Sequence, residues 1–160
     1  LYILELYICD GDEALDYKKL QFGIRTVETI PNANAEGDRI AEPGKYNWTF
    51  VVNGHPFFVK GTGWCTNDAL MRFDKGRYER LLTLARKQNI NMVRAWGGGL
   101  VETEDFYDIC DEYGITVFQE WPTAWDSYML QPREALLETV RRGVIRLRNR
   151  ASLFIWCGGN

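Results

Sequence analysis

The sequence has one histidine in 160 residues, His55, and that scarcity removes whole classes of chemistry. A Ser-His-Asp triad needs a histidine base beside its nucleophile, an H-E-x-x-H helix needs two histidines, and a His-rich metal site needs more still. His55 itself follows Asn53-Gly54, where a solvated turn residue is the simple reading. Cysteine is sparse too: Cys9, Cys65, Cys110 and Cys157 are far apart and form no C-x-x-C pair, so neither a zinc knuckle nor a dithiol redox motif is available. They read as free and mostly buried thiols. A basic excess is missing, with 19 Lys and Arg against 22 Asp and Glu and a net charge of -3, and nucleic acid is therefore not an expected partner. No apolar run approaches the roughly 20 residues of a membrane span, so no membrane partner is expected either. Residues 1–8 lack the basic flank and small-residue cleavage site of a signal peptide, and there is no initial Met. The segment is expected to lack its true N-terminus and any localisation signal with it.

What the sequence does have is apolar and aromatic material, 46% and 14% of its residues, enough to bury a real core and to exclude disorder. Residues 1–9 are a β-rich run followed by the turn residues Asp10-Gly11-Asp12, and 22–28 reads as a second strand after a charged connection. Two strands make no independent sheet, so 1–30 reads as the tail of a β domain. Residues 31–47, rich in Asn, Ala, Gly and Pro, read as a linker. Asn53-Gly54, flanked by 48–52 and 56–60, is a strong hairpin signal because both residues tolerate positive φ.

From there strands alternate with helices, the pattern of a parallel sheet. Strands are expected at 57–60, 91–96, 116–120 and 153–157, with helices at about 74–88, 104–113 and 132–150. Asp74 caps the first helix, which buries Tyr78, Leu81, Leu82 and Ala85 at helical spacing; Glu104 and Asp105 suit the N-terminal dipole of the second, and Gly114 ends it. The fold class is α/β, and by pattern alone either a barrel or a doubly wound sheet fits.

Polar and aromatic residues gather after the carboxyl ends of these strands: Trp64, Asn67 and Asp68; Arg94 and Trp96; Gln119, Glu120, Trp121, Trp125 and Asp126; then Gly158, Gly159 and Asn160. On a barrel they share one mouth. Aromatic faces stack on sugar C–H faces while carboxylates, amides and guanidinium bond hydroxyls, so a carbohydrate suits the set. Plainer readings stand beside this one. Any of the six Trp can be core, Arg94 and Glu120 can simply pair, and Glu102, Glu104, Asp105, Asp108, Asp111 and Glu112 read as a solvated helix face with its cap. Gly97-Gly98-Gly99 fits neither G-x-G-x-x-G nor a P-loop, and close backbone packing explains it better than phosphate.

Taken as a set, these residues resemble glycoside hydrolase family 2, and within it the β-mannosidase branch with its endo-β-mannosidases and exo-β-glucosaminidases. Phe22-Gly23-Ile24-Arg25 is similar to the last strand of the immunoglobulin-like domain before the barrel, and 53–61 to the entry strand. Residues 91–99 match the second barrel strand, 106–111 the helix after it, 117–120 the third strand, and 148–149 with 153–160 the approach to the fourth. The resemblance implies the last strands of an immunoglobulin-like β-sandwich over 1–30, then the first half of a (β/α)8 TIM barrel over 48–160. It implies a retaining β-glycosidase without metal or cofactor. The general acid/base Glu is expected immediately after Asn160 and the nucleophile much further on, so a chain ending at Asn160 is expected to show no turnover.

By the same resemblance Asn160 holds the sugar 2-hydroxyl, Arg94 lies beside the nucleophile, Trp96 lines the terminal-sugar subsite and Glu120 supports it. Trp64, Asp68 and Trp121 join the substrate-binding set by position. The chain departs from the family at Arg150-Ala151, where His-Pro is common, and in 121–130, which bears on the leaving group. The implied partners are a carbohydrate and the remainder of the barrel, with a homo-oligomer as another way to cover open sheet edges. A polysaccharide-degrading parent favours a periplasmic or extracellular compartment. Two rivals from other classes are a non-catalytic carbohydrate-binding module using the same Trp-rich mouth and a nucleotide-binding α/β protein using the glycine loop.

Overall fold

The computed structural model describes residues 1–32, 48–123 and 127–159. It divides into two compact units, Leu1–Ile24 with Lys60–Asn160, and Arg25–Val59.

In the first unit the chain opens with an antiparallel hairpin, β1 (Tyr2–Asp10) and β2 (Glu13–Phe22), turned at Gly11 with φ +59°. Here the structure corrects the sequence reading: the charged stretch after the turn is itself a strand, and the backbone from Gly23 to Thr26 is not. A tight turn brings the following residues directly opposite the preceding ones, and ladder pairing then outweighs the weak β propensity of Lys and Asp. Glu5 ties the pair across its face, accepting the Tyr17 hydroxyl at 3.1 Å and meeting Lys19 at 3.5 Å.

The rest of this unit is a four-stranded parallel sheet in the order β6 (Gly61–Trp64), β7 (Met92–Ala95), β8 (Thr116–Glu120), β9 (Leu153–Cys157). Helix α1 (Lys75–Lys87) connects β6 to β7, and α2 (Glu104–Tyr113) connects β7 to β8; the short α3 (Ser127–Leu130) and then α4 (Arg133–Leu147) lead to β9. The Asp74 side chain accepts the Arg77 N–H at 2.9 Å as the expected cap, and Gly114 ends α2 at φ +68°. The first parallel strand lies at Gly61–Trp64 rather than at 57–60, because Phe57 is already engaged opposite Phe50 in an antiparallel pair.

Tyr78 and Leu82 from α1, and Phe106, Tyr107, Ile109 and Cys110 from α2, pack on Val93, Ala95, Val117 and Leu153 of the sheet. Each such large apolar side chain contributes about 1.5–3 kcal/mol on burial, so this helix–sheet layer holds the strand ends in register. The expectation of mostly buried cysteines holds for Cys110 alone. Cys9 and Cys65 are exposed and Cys157 is half-buried; all four are free thiols.

The second unit is an antiparallel sheet in the order β3-β4-β5, with β3 (Val27–Pro31), β4 (Trp48–Val52) and β5 (His55–Phe57). Asn53 and Gly54, at φ +51° and +77°, make the turn between β4 and β5, as their sequence signals. Asn53 also accepts the Thr26 N–H through its side chain at 2.9 Å, so it fixes the approach to β3 as well as the turn. The stretch expected as a linker, 31–47, lies outside the described residues apart from its first two. Among the described residues no helix is long and apolar enough to cross a membrane.

Candidate active site at the carboxyl ends of the parallel strands

The register of the sheet sorts its side chains by face. Gly63 pairs with Arg94 and Trp64 with Ala95, while Arg94 pairs with Phe118 and Ala95 with Gln119. Ala95 belongs to the helix-facing core, so Trp64 and Gln119 share that face, and Arg94, Phe118 and Glu120 share the opposite one.

Arg94 and Glu120 are joined there: Arg94 Nη2 donates to Glu120 Oε1 at 2.8 Å. The second carboxylate oxygen of Glu120 accepts the backbone N–H of Gly97 at 2.9 Å. Glu120 is 1% exposed, whereas the Arg94 side chain remains 39% exposed, so the carboxylate is the buried anchor and the guanidinium its accessible end. This buried carboxylate meets both a charge and a backbone donor, as a buried anion requires.

Each glycine of the loop admits a close approach. A Cβ on Gly97 would stand 2.0 Å from the Trp121 carbonyl oxygen, one on Gly98 would stand 2.0 Å from the Trp96 ring, and one on Gly99 would meet Thr66 Oγ1 at 2.7 Å. The glycine run therefore packs loop against loop. A cavity of about 260 Å³ lies alongside, with Trp96, Gly97, Glu120, Pro122 and Thr139 in its wall.

Trp64 and Trp121 turn to packing on the helix side. The Trp64 ring lies 5.0 Å from Phe106 and 6.3 Å from Tyr78, and its indole N–H donates to Glu102 at 2.9 Å. Trp121, 6% exposed, stacks on Trp156 at 4.9 Å, and Gly143 of α4 lets the helix close on it, since a Cβ there would meet the ring at 2.6 Å. Asp68 is buried in its own loop, accepting Arg72 at 2.8 and 3.0 Å and the Leu70 N–H at 2.7 Å, with Arg77 at 2.9 Å. Those Arg72 hydrogen bonds, opposed by burial and reinforced by Leu70 and Arg77, hold its carboxyl below the ordinary Asp range. Of the sequence-selected residues, then, Arg94, Trp96 and Glu120 come together around the glycine loop. Trp64 and Trp121 brace it from behind, through the Trp64 carbonyl on the Trp96 N–H and the Trp121 backbone against Gly97, whereas Asp68 fixes the loop after β6 and touches none of the three glycines. Asn160, Trp125 and Asp126 lie outside the described residues.

The acidic run of 102–112 is not a plain solvated face. Arg150 pairs with Glu104, Asp108 and Asp111, and Arg146 with Glu104. Glu102 is 2% exposed and accepts both the Trp64 indole N–H and the Tyr78 hydroxyl. Burial first, and then that carboxylate, push the Tyr78 phenol above its ordinary value. Sequence reasoning missed Glu102, although one signal was present: it precedes the N-cap Thr103 and so is not on the helix face.

A parallel sheet with helices on one face is the architecture of a segment of a (β/α) barrel, and the Arg94–Glu120 pair lies at its strand carboxyl ends, where barrels build their sites. Residues 46–160 match the family model of the glycosyl hydrolases family 2 TIM barrel domain. The chain belongs to that family, and its sheet is the first half of the barrel. It is 36% identical over its whole length to the mannosylglycoprotein endo-β-mannosidase of Lilium longiflorum, covering 17% of that protein. It is 34% identical over 97% of its length to the β-mannosidase of Rattus norvegicus, again covering 17% of the relative. The crystal structure of the β-D-mannosidase of Dictyoglomus thermophilum superposes on 95% of the chain with a TM-score of 0.72 at 31% identity, and 18% of that protein is covered. An exo-chitosanase of Amycolatopsis orientalis, at 22% identity and the same TM-score of 0.72, shares the fold. The chain thus spans about a sixth of the length of the relatives it matches.

Proposed function

We propose that this chain supplies one side of the active site of a retaining β-glycosidase that cleaves β-mannosidic bonds. The observation that carries the reading is the Arg94–Glu120–Gly97 constellation at the strand carboxyl ends, in a family whose matched relatives at this level of identity are named β-mannosidases.

The chemistry assigns a division of labour. Retention needs two carboxyl groups about 5 to 5.5 Å apart, one forming the glycosyl-enzyme and the other protonating the leaving oxygen and then activating water. Glu120 is not one of them in this reading, because both of its oxygens are occupied by Arg94 and Gly97. It holds Arg94 instead, whose exposed end keeps a neighbouring nucleophilic carboxylate ionised by lowering its pKa. Trp96 stacks on the terminal sugar, and Asn160 bonds its 2-hydroxyl, a contact that strengthens towards the oxocarbenium-like transition state. Trp64 and Trp121 take a supporting place behind these groups, and Asp68 fixes the loop after β6. The two catalytic carboxylates come from the part of the longer polypeptide that the relatives possess beyond this stretch, and its strands also cover the sheet edges β6 and β9. Residues 1–30, which include the hairpin β1–β2, are in this reading the last strands of an immunoglobulin-like β-sandwich.

The test is to assay the enzyme containing this chain against aryl β-mannoside, β-glucosaminide and β-galactoside, and to follow the first-formed anomer by proton NMR. Hydrolysis of the mannoside with the β-anomer appearing first is the expected result. Inversion, or hydrolysis of none of the three, overturns the reading; sugar binding without turnover replaces it with a carbohydrate-binding module.

A further inference from the structure

Resting on the reading that loop 96–102 borders a sugar site, we infer that Glu102 is a positioning residue for that site, acting through Trp64 on Trp96. The loop leaves β7 after Ala95 and enters α2 at Glu104. It is held at its front by the Gly97 N–H on Glu120, and at its rear by Glu102. Both oxygens of the Glu102 carboxylate are engaged, one by the Trp64 indole N–H at 2.9 Å and the other by the Tyr78 hydroxyl, and its backbone carbonyl accepts Arg146.

Trp64 is the bridge. Its backbone carbonyl accepts the Trp96 N–H at 3.0 Å while its indole N–H reaches back to Glu102. The Trp64 ring is wedged against Phe106 and Tyr78, so it has no room to turn without breaking the Glu102 bond. Tethering the loop at both ends thereby fixes the start of the turn from which the Trp96 ring projects. A buried carboxylate satisfied by neutral donors is an expensive way to fill space, since an apolar side chain of the same volume needs no partners. Its geometric value is that both oxygens point donors from β6 and α1 at one atom group, which preorganises the loop before a ligand arrives.

The experiment uses the enzyme containing this chain and the variants E102A, E102Q and W96A with an aryl β-mannoside. E102A is expected to raise KM about tenfold with kcat changed less than about threefold, the pattern of lost ground-state and transition-state binding alike. E102Q retains an oxygen for the Trp64 N–H and recovers most of the loss. In a W96A background E102A adds less than about twofold, because coupled residues are not additive. Multiplying effects, or an unchanged KM with only a lowered Tm, overturn the proposal.

A second readout needs no substrate. With 5-fluorotryptophan incorporated, the Trp96 resonance, assigned with W96F, shifts in E102A and returns in E102Q; W64F, which removes the donor, shifts it as E102A does. Should the wild-type enzyme cleave no glycoside, the glycosidase reading fails, while this resonance still decides the role of Glu102. A Trp96 signal unmoved by E102A, or by W64F where E102A does not fold, overturns it.

Discussion

Arg94 and Glu120 stand on adjacent parallel strands, and the guanidinium crosses to the carboxylate at 2.8 Å while solvent still reaches the arginine. The asymmetry of the pair predicts unequal costs. Replacing Arg94 by Met leaves Glu120 buried with the Gly97 N–H alone, and stability is expected to drop by on the order of 1–3 kcal/mol. Glu120→Gln is milder, because an amide oxygen still accepts from Gly97 and the charge to be buried is gone. Urea midpoints decide it: an R94M variant as stable as wild type, beside a strongly unstable E120Q, would show that the pair is not what holds the carboxylate.

Gly97 and Gly98 are adjacent in sequence and differ in what surrounds them. A Cβ at Gly97 meets the backbone of Trp121, which cannot yield without moving β8, so Gly97→Ala is expected to cost about 1–3 kcal/mol or more. At Gly98 the obstacle is the Trp96 ring, a side chain that can rotate away. Gly98→Ala is therefore expected to change tryptophan emission and sugar affinity more than the urea midpoint. Equal destabilisation by the two substitutions would mean that the Trp96 ring is itself locked.

These contrasts also bear on what could be read from residue order. The alternation of strands and helices was legible because each helix carries a 3.6-residue stripe and proper ends, Asp74 and Gly114 among them. So was the Asn53-Gly54 turn, which only residues tolerant of positive φ can make. The facing of Trp64 and Trp121 was not legible. On a strand end, a shift of one residue moves a ring from one face to the other, and only the pairing of Trp64 with Ala95 fixes it. Glu102 escaped for a different reason: its place before the N-cap takes it off the helix face but does not name its partners, Trp64 and Tyr78, which come from two other elements. The strand nature of Glu13–Phe22 was hidden by its charges, since pairing partners rather than propensity decide an exposed hairpin.

Asp68 gives the pH dependence. Its carboxyl is held below the usual 3.8, first by the Arg72 hydrogen bonds and then, against burial, by Leu70 and Arg77. A folded-state value below the unfolded one means that the folded chain binds fewer protons. The stabilisation is thus complete above the unfolded value and is lost as pH falls through the folded one. Urea midpoints followed from about pH 5 to about pH 2 should fall for wild type. In Asp68→Asn, already weaker at neutral pH, they should fall less steeply over the same interval. Parallel curves would show that other carboxylates dominate acid unfolding.

The four free cysteines give a solution test of the helix–sheet packing, because the thiolate is the nucleophile and needs both access and ionisation. Cys110 has neither. It is fully enclosed between α2 and the sheet, and burial, followed by the charges of Asp111 and Glu102, raises its thiol well above the ordinary value. Cys9 and Cys65 are exposed, and Cys157 is half-buried with its thiol on the Gly159 carbonyl at 3.0 Å. Alkylation with iodoacetamide at about pH 8, followed by peptide mass spectrometry, should therefore modify Cys9 and Cys65 first, Cys157 more slowly, and Cys110 only on addition of denaturant. Rapid labelling of Cys110 in native buffer would mean that α2 does not stay seated on the sheet. Glu102, immediately before the α2 cap, would then lose the rigid footing that its hold on Trp64 requires.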